Sequence, residues 1–173
     1  MTTTALAALI DALTAAVGVA TGPHERVDAV TTVLRERVAD PDLLDTSFAD
    51  PGPDGSRERV LHVDPDGRFS LVVLVWAAGV TTPPHDHVTW GVVGLHRGVE
   101  VETRYALSPD GDRLVEHSVA RSTAGGVDGF VPPGDIHVVA AEGDDVTVSV
   151  HVYGTDVTRS GSSVKRIYAL PGA

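Results

Sequence analysis

A chain of 173 residues with 42% apolar residues, 18 glycines and 11 prolines is long enough for about one folded, turn-rich domain with a core that needs no staple. Its formal net charge of -11, with acids spread along the chain and no Lys/Arg block, repels phosphate backbones and anionic lipid, so neither nucleic acid nor a membrane is expected as a partner. The absence of cysteine removes disulfides, thiolate metal ligands, iron–sulfur clusters and cysteine nucleophiles together.

From residue 2 to about residue 38, apolar residues recur at helical spacing (Leu6, Leu9, Ile10, Leu13, then Val27, Val30, Leu34, Val38), and Gly22-Pro23 splits them into two short helices. With a further turn over residues 41–45 they make a small N-terminal helical cap, residues 1–48. The opening MTTTALAALIDALTAAVG lacks a basic stretch and Asp11 interrupts its apolar run, so it suits neither a signal peptide nor a membrane span, and a cytoplasmic protein is expected. ADPGPDGS, residues 49–56, reads as the loop that leaves the cap. After Arg57 the texture changes to short β-branched runs: VLHV, FSLVVLVWA, TWGVVGLHRG, VEVETRYAL, RLVEHSVA, GFVPPG, HVVAAEG, VTVSVHVYG and SVKRIYAL. PDGR, SPDGD and EGDD punctuate them as hairpin turns. No helical pattern separates these strands, so residues 57–173 are expected to form one all-β sandwich or barrel rather than βαβ units.

The segment TTPPHDHVTWG places two histidines around an aspartate. On a strand, side chains two apart share a face, so His85 and His87 present two imidazoles together while Asp86 points away. That is half of a first-row metal site, and without cysteine any metal must be held by histidine and carboxylate. Gly79 stands six positions before His85, and Gly98 follows the pair in a turn. Downstream, in GVDGFVPPGDIH, Gly126 precedes Pro132 by six, Pro132-Pro133-Gly134 makes a turn, and His137 follows three residues after Gly134.

These two segments resemble the two halves of the cupin signature. The resemblance implies an all-β, double-stranded β-helix (jelly-roll) barrel in which His85, His87 and His137 converge on one metal inside. Two departures stand out: VTWGVV carries no glutamate ligand after the histidine pair, and alanine, around Ala141, replaces the asparagine usual after the second-half histidine. Three neutral imidazoles leave a divalent iron its full charge and three adjacent open positions, which suits a substrate that brings its own anionic ligand and leaves room for dioxygen.

VTVSVHVYG carries Ser149, His151 and Tyr153 at alternate positions, hence on one face. In this line, and through RFSLVVLVW, HDH and the Gly-Pro-Gly-His turn, the chain from Arg57 to Tyr153 resembles the cysteine dioxygenase type I family of thiol dioxygenases. WGVVG is similar to the bacterial 3-mercaptopropionate dioxygenase branch; animal members carry there a cysteine crosslinked to the tyrosine, and Val92 takes its place. The resemblance implies an Fe(II) cofactor, Ser149, His151 and Tyr153 as the catalytic line, and a small thiol carboxylate (3-mercaptopropionate, cysteine or mercaptosuccinate) converted with dioxygen to the sulfinate. Arg59 stands where cysteine dioxygenases hold the substrate carboxylate, and Arg166 resembles the C-terminal arginine serving it in the bacterial branch.

Other readings stay open. The histidines fit turn and rim positions, the Ser-His-Tyr line fits a strand whose polar groups satisfy one another, and both arginines fit a solvated surface. The alternative function is a non-catalytic metal-binding cupin that binds or senses a small molecule. His24, His62, His96 and His117 join no constellation, Asp86 is expected to fix a strand end or a ligand histidine, and Trp76 and Trp90 read as core. A monomer or small homo-oligomer is expected.

Overall fold

A computed structural model of the chain describes residues 2–169. Met1 and residues 170–173, the latter with the end of the expected strand SVKRIYAL and of the barrel range 57–173, lie outside the described residues. Two helices come first, α1 (Thr4–Val19) and α2 (Pro23–Arg37). The Thr3 hydroxyl accepts from the Leu6 N–H and so caps α1, and Pro23 starts α2 at the one position where a missing N–H costs nothing. Leu6, Leu9, Leu13 and Val17 form the buried stripe of α1, and Val30 and Leu34 that of α2. Past the turn expected at 41–45, a short 3₁₀ turn (Thr46–Ala49) is capped by Asp45. No helix among the described residues is long and apolar enough to cross a membrane.

Ten strands follow: β1 (Ser56–Val63), β2 (Ser70–Trp76), β3 (His85–His87), β4 (Gly91–Arg97), β5 (Val99–Leu107), β6 (Leu114–Thr123), β7 (Val127–Phe130), β8 (His137–Ala141), β9 (Thr147–Tyr153) and, after a four-residue helix α3 (Val157–Ser160), β10 (Val164–Ile167). They pair antiparallel in two five-stranded sheets, β1-β2-β9-β4-β7 and β10-β3-β8-β5-β6. From β2 to β9 the chain changes sheet at every connection except the β5–β6 hairpin. That is the strand order of an eight-stranded jelly roll, with β1 and β10 each added at one edge.

PDGR and SPDGD make the β1–β2 and β5–β6 hairpins as expected, with Gly67 and Gly111 left-handed at φ 69° and 78°. EGDD differs: it joins β8 to β9, which lie in different sheets, so it is a crossing and not a hairpin. The strand expected over GFVPPG ends at Phe130, ahead of the prolines that cannot donate to a ladder.

The apolar core lies outside the barrel. Leu9, Leu13, Val30, Leu34 and Val38 pack against Phe69, Leu71, Val73, Val75, Val92, Val148, Val150 and Val152, the outward-facing residues of the first sheet. The helices therefore cover one face of that sheet. Its other face closes the barrel and carries a mixture of polar and apolar side chains.

Candidate metal centre and cavity

His85 and His87 sit two apart on β3, and His137, the first residue of β8, is paired directly opposite His85. Directly opposed residues have Cβ atoms about 4.5–5.5 Å apart, so the three rings must meet. Their ligand atoms all lie within 4.8 Å of one another, and all three residues are buried. Among the described residues this is the group able to hold a metal ion, and it includes no carboxylate.

Each ring is held from behind through Nδ1. That of His85 lies 2.9 Å from the Pro83 carbonyl, that of His87 3.0 Å from Asp135 Oδ2, and that of His137 2.6 Å from Glu102 Oε1. Asp135 Oδ2 also accepts the backbone N–H of His87 at 2.9 Å. Carbonyl and ionised carboxylate oxygens only accept, so each Nδ1 carries the hydrogen and each Nε2 presents a lone pair inward. The Nε2 atoms of His85 and His137 stand 3.2 Å apart, two acceptors facing each other, an arrangement that a cation between them relieves. Burial, and then the neighbouring histidines, lower the pKa of His85 and bring that of His87 down to about 4. Both are thus neutral ligands near pH 7, and the donor set fits a first-row divalent metal.

The second arrangement is on β9. Ser149 Oγ lies 2.8 Å from His151 Nε2, and His151 Nδ1 lies 2.9 Å from the Tyr153 hydroxyl. Trp76, expected only as core, donates its indole N–H to Ser149 Oγ at 3.2 Å and extends the line to a fourth residue. Burial first, and the three clustered histidines next, bring the His151 pKa down to about 3, while burial pushes the Tyr153 phenol above its usual range. Both groups are therefore neutral, and the phenol keeps its proton. The Tyr153 and Phe130 rings both stack near His87, with centroids 5.8 and 4.3 Å from it. Gly91 faces Tyr153 on one side and Phe130 on the other in the sheet, and a Cβ there would run into the Phe130 ring.

The three histidines, His151, Tyr153, Trp76 and Phe130 line a cavity of about 230 Å³ inside the barrel. Glu58, Glu100, Glu102 and Asp128 bring four carboxylates to it, and Arg104 the one guanidinium. Glu100, Glu102 and Arg104 alternate along β5 and so share its inner face. Arg104 is already committed, with Nε 3.0 Å from Glu102 and Nη2 2.6 Å from Asp128. Glu100 is only 7% exposed and its Oε1 has no hydrogen-bond partner. Burial raises its pKa to about 7 against the pull of the Ser149 hydroxyl.

The structure brings His85, His87, His137, His151 and Tyr153 to this one cavity, with Ser149 buried behind His151, but not the two arginines. On β1 it is Glu58 that lines the cavity, so Arg59, one residue on, points the other way and lies over the Phe48 ring at 4.8 Å. Arg166 grips Asp86 Oδ2 at 2.7 and 3.1 Å, with its side chain 56% exposed, and Tyr168 donates to the same oxygen. Asp86 thus fixes β10 onto β3, and the expected arginine clamp for a substrate carboxylate is corrected: neither residue reaches the cavity. Val92 is buried in the outer core, and Val93, paired with His151, and Leu95 are the residues of that strand that line the cavity.

The sequence reading missed Glu102, Asp135, Glu58, Glu100 and Arg104. The alternation Glu-x-Glu-x-Arg inside VEVETRYAL was the available signal for β5, since a strand in a closed barrel has one inward face. Asp135, two before His137, carried no such signal. His24, assigned to no constellation, lines a second cavity of about 290 Å³ with Asp135, Glu102 and Arg104, behind the histidines.

No protein-family model matches the chain. Among solved structures it is similar to a cupin superfamily protein from Desulfitobacterium hafniense DCB-2, at 14% identity over 64% of this chain and 86% of that one, with a TM-score of 0.49. A recombinant oxalate oxidase in complex with glycolate matches at 22% identity over 60% of this chain and 53% of its own, TM-score 0.48, so the chain spans about half of that protein's length. The polyketide cyclase RemF from Streptomyces resistomycificus matches at 21% over 62% and 70%, TM-score 0.43. The strand order makes the chain a jelly roll of the kind cupins have, and its inner face carries a three-histidine group that could hold a metal ion.

Proposed function

We propose that this protein is a mononuclear non-haem Fe(II) thiol dioxygenase, which converts a small thiol and dioxygen to the sulfinate, R–SH + O₂ → R–SO₂H. The observation that carries this reading is the meeting in one cavity of a metal-ligand set without carboxylate and a neutral tyrosine held by its own hydrogen-bonded line. Iron held by His85, His87 and His137 would supply open positions for sulfur and oxygen and the one-electron chemistry that dioxygen needs. The chain's own residues do the rest. Pro83, Asp135 and Glu102 keep the three Nε2 lone pairs aimed inward. Tyr153 is oriented by His151, which Ser149 and Trp76 orient in turn, so the phenol is positioned to donate a hydrogen bond or proton as negative charge develops on oxygen. Phe130, Val93 and Leu95 exclude water from the reacting centre.

The test is anaerobic loading with Fe(II), followed by oxygen uptake against cysteine, 3-mercaptopropionate, cysteamine and mercaptosuccinate, with the product weighed after reaction in ¹⁸O₂. One thiol should consume one dioxygen and gain both labelled atoms. Tyr153→Phe should keep iron and thiol binding while turnover falls on the order of 10²–10⁴-fold, the usual weight of a positioned proton donor. Iron bound with no oxygen uptake for any thiol would leave a non-catalytic metal-binding module instead.

A further inference from the structure

We propose that the thiol taken by this cavity carries a positively charged amine at the end away from the metal, held by Glu100 and Glu58, and no carboxylate. The inference rests on the thiol reading above and names the substrate class for it. Its first support is Glu100: a side chain 93% buried by its 7% exposure, lining the cavity, with Oε1 unpartnered. A buried carboxylate oxygen without a donor is costly, and a bound ammonium would supply that donor as a charge-assisted hydrogen bond.

The second support is charge balance. Of the four carboxylates lining the cavity, Glu102 and Asp128 are engaged by Arg104, which leaves Glu100 and Glu58 as the pair with no cationic side chain in contact. Both line the same cavity as Tyr153 and the three histidines. Glu58, on β1, is open to solvent at the rim, and Glu100, on β5, is deep. A thiol carboxylate entering here would meet two acidic side chains and no free guanidinium, because the arginines expected to receive it face elsewhere. An aminothiol meets a carboxyl acceptor at both depths.

The test uses the protein loaded with Co(II) under anaerobic conditions, where thiolate binding appears as a sulfur-to-metal charge-transfer band without turnover. Cysteamine and 3-mercaptopropionate, which differ mainly in the terminal charge, are titrated into parent, Glu100→Gln and Glu58→Gln proteins. Cysteamine should bind at least tenfold tighter than 3-mercaptopropionate to the parent, and Glu100→Gln should erase about ten- to a hundredfold of that preference. The parent protein alone decides the matter if a variant fails to fold. Equal or tighter binding of 3-mercaptopropionate would overturn the proposal and leave the thiol reading standing. If neither thiol produces the band, the thiol reading fails, and melting of the same protein with ethanolamine or glycolate settles the amine: stabilisation by ethanolamine alone keeps the amine site, and any other result sinks it.

Discussion

All seven residues of β9 are buried, yet its two faces do opposite things. Val148, Val150 and Val152 turn outward into the layer of helices, where only apolar contacts are available. Ser149, His151 and Tyr153 turn inward, each hydrogen-bonded to the next, and His151 and Tyr153 line the cavity. β2 repeats the division, with Leu71, Val73 and Val75 outside and Leu74 and Trp76 inside. One sheet thus separates the part of the molecule that holds it together from the part that carries its chemistry. The same desolvation acts on both faces: outside it rewards apolar area, inside it keeps His151 and Tyr153 neutral and lifts Glu100 to a pKa of about 7.

The largest effects should show that the two faces fail differently. His137→Ala on the inner face should strip the metal, a greater loss than the roughly 10–100-fold that removal of a residue behind a ligand costs, while the melting temperature of the metal-free protein moves little. Metal content after dialysis against chelator measures it, and an unchanged content would remove His137 from the ligand set. Phe69→Ala on the outer face should do the reverse. Phe69 is fully buried, so its loss should cost about 3–5 kcal/mol, or about 6–20 °C in melting temperature, with metal per folded molecule unchanged.

Glu100 sharpens the contrast through pH. Its pKa is raised from 4.5 to about 7, so the native chain binds more protons than the unfolded one in that window. Its contribution to stability is therefore fully present below about pH 4.5 and is lost as pH rises through 7. Glu100→Gln should leave metal-free protein more stable than the parent at pH 8, by on the order of 3 kcal/mol at most, with the gap closing toward pH 5. Urea unfolding at the two pH values reads it; a gap independent of pH would place Glu100 in a solvated setting. The smallest effect should come from Arg59→Gln, which changes a residue outside the cavity. Thiol affinity should stay within about twofold and stability within about 0.5 kcal/mol. A selective loss of 3-mercaptopropionate binding would return Arg59 to the site.

Much of the site was legible because its geometry is local. His85 with His87, and Ser149 with His151 and Tyr153, needed only the two-residue period of a strand. The helices were legible from the spacing of Leu6, Leu9 and Leu13 and from Gly22-Pro23. The groups that orient the histidines were not, because Glu102 lies 35 residues from His137 and Asp135 48 from His87, and only the pairing of β5 with β8 and the fold of the β7–β8 connection bring them together.

The arginines mark the boundary most clearly. Sequence alone determined that Glu58 and Arg59 occupy opposite faces of β1, and that Asp86 points away from His85 and His87. Only the tertiary structure decided which of those faces is the inside, since that depends on what covers the other one: the 3₁₀ turn carrying Phe48 meets Arg59, and β10 brings Arg166 to Asp86. A period of two tells which side chains share a face, and a shift of one residue exchanges the faces entirely.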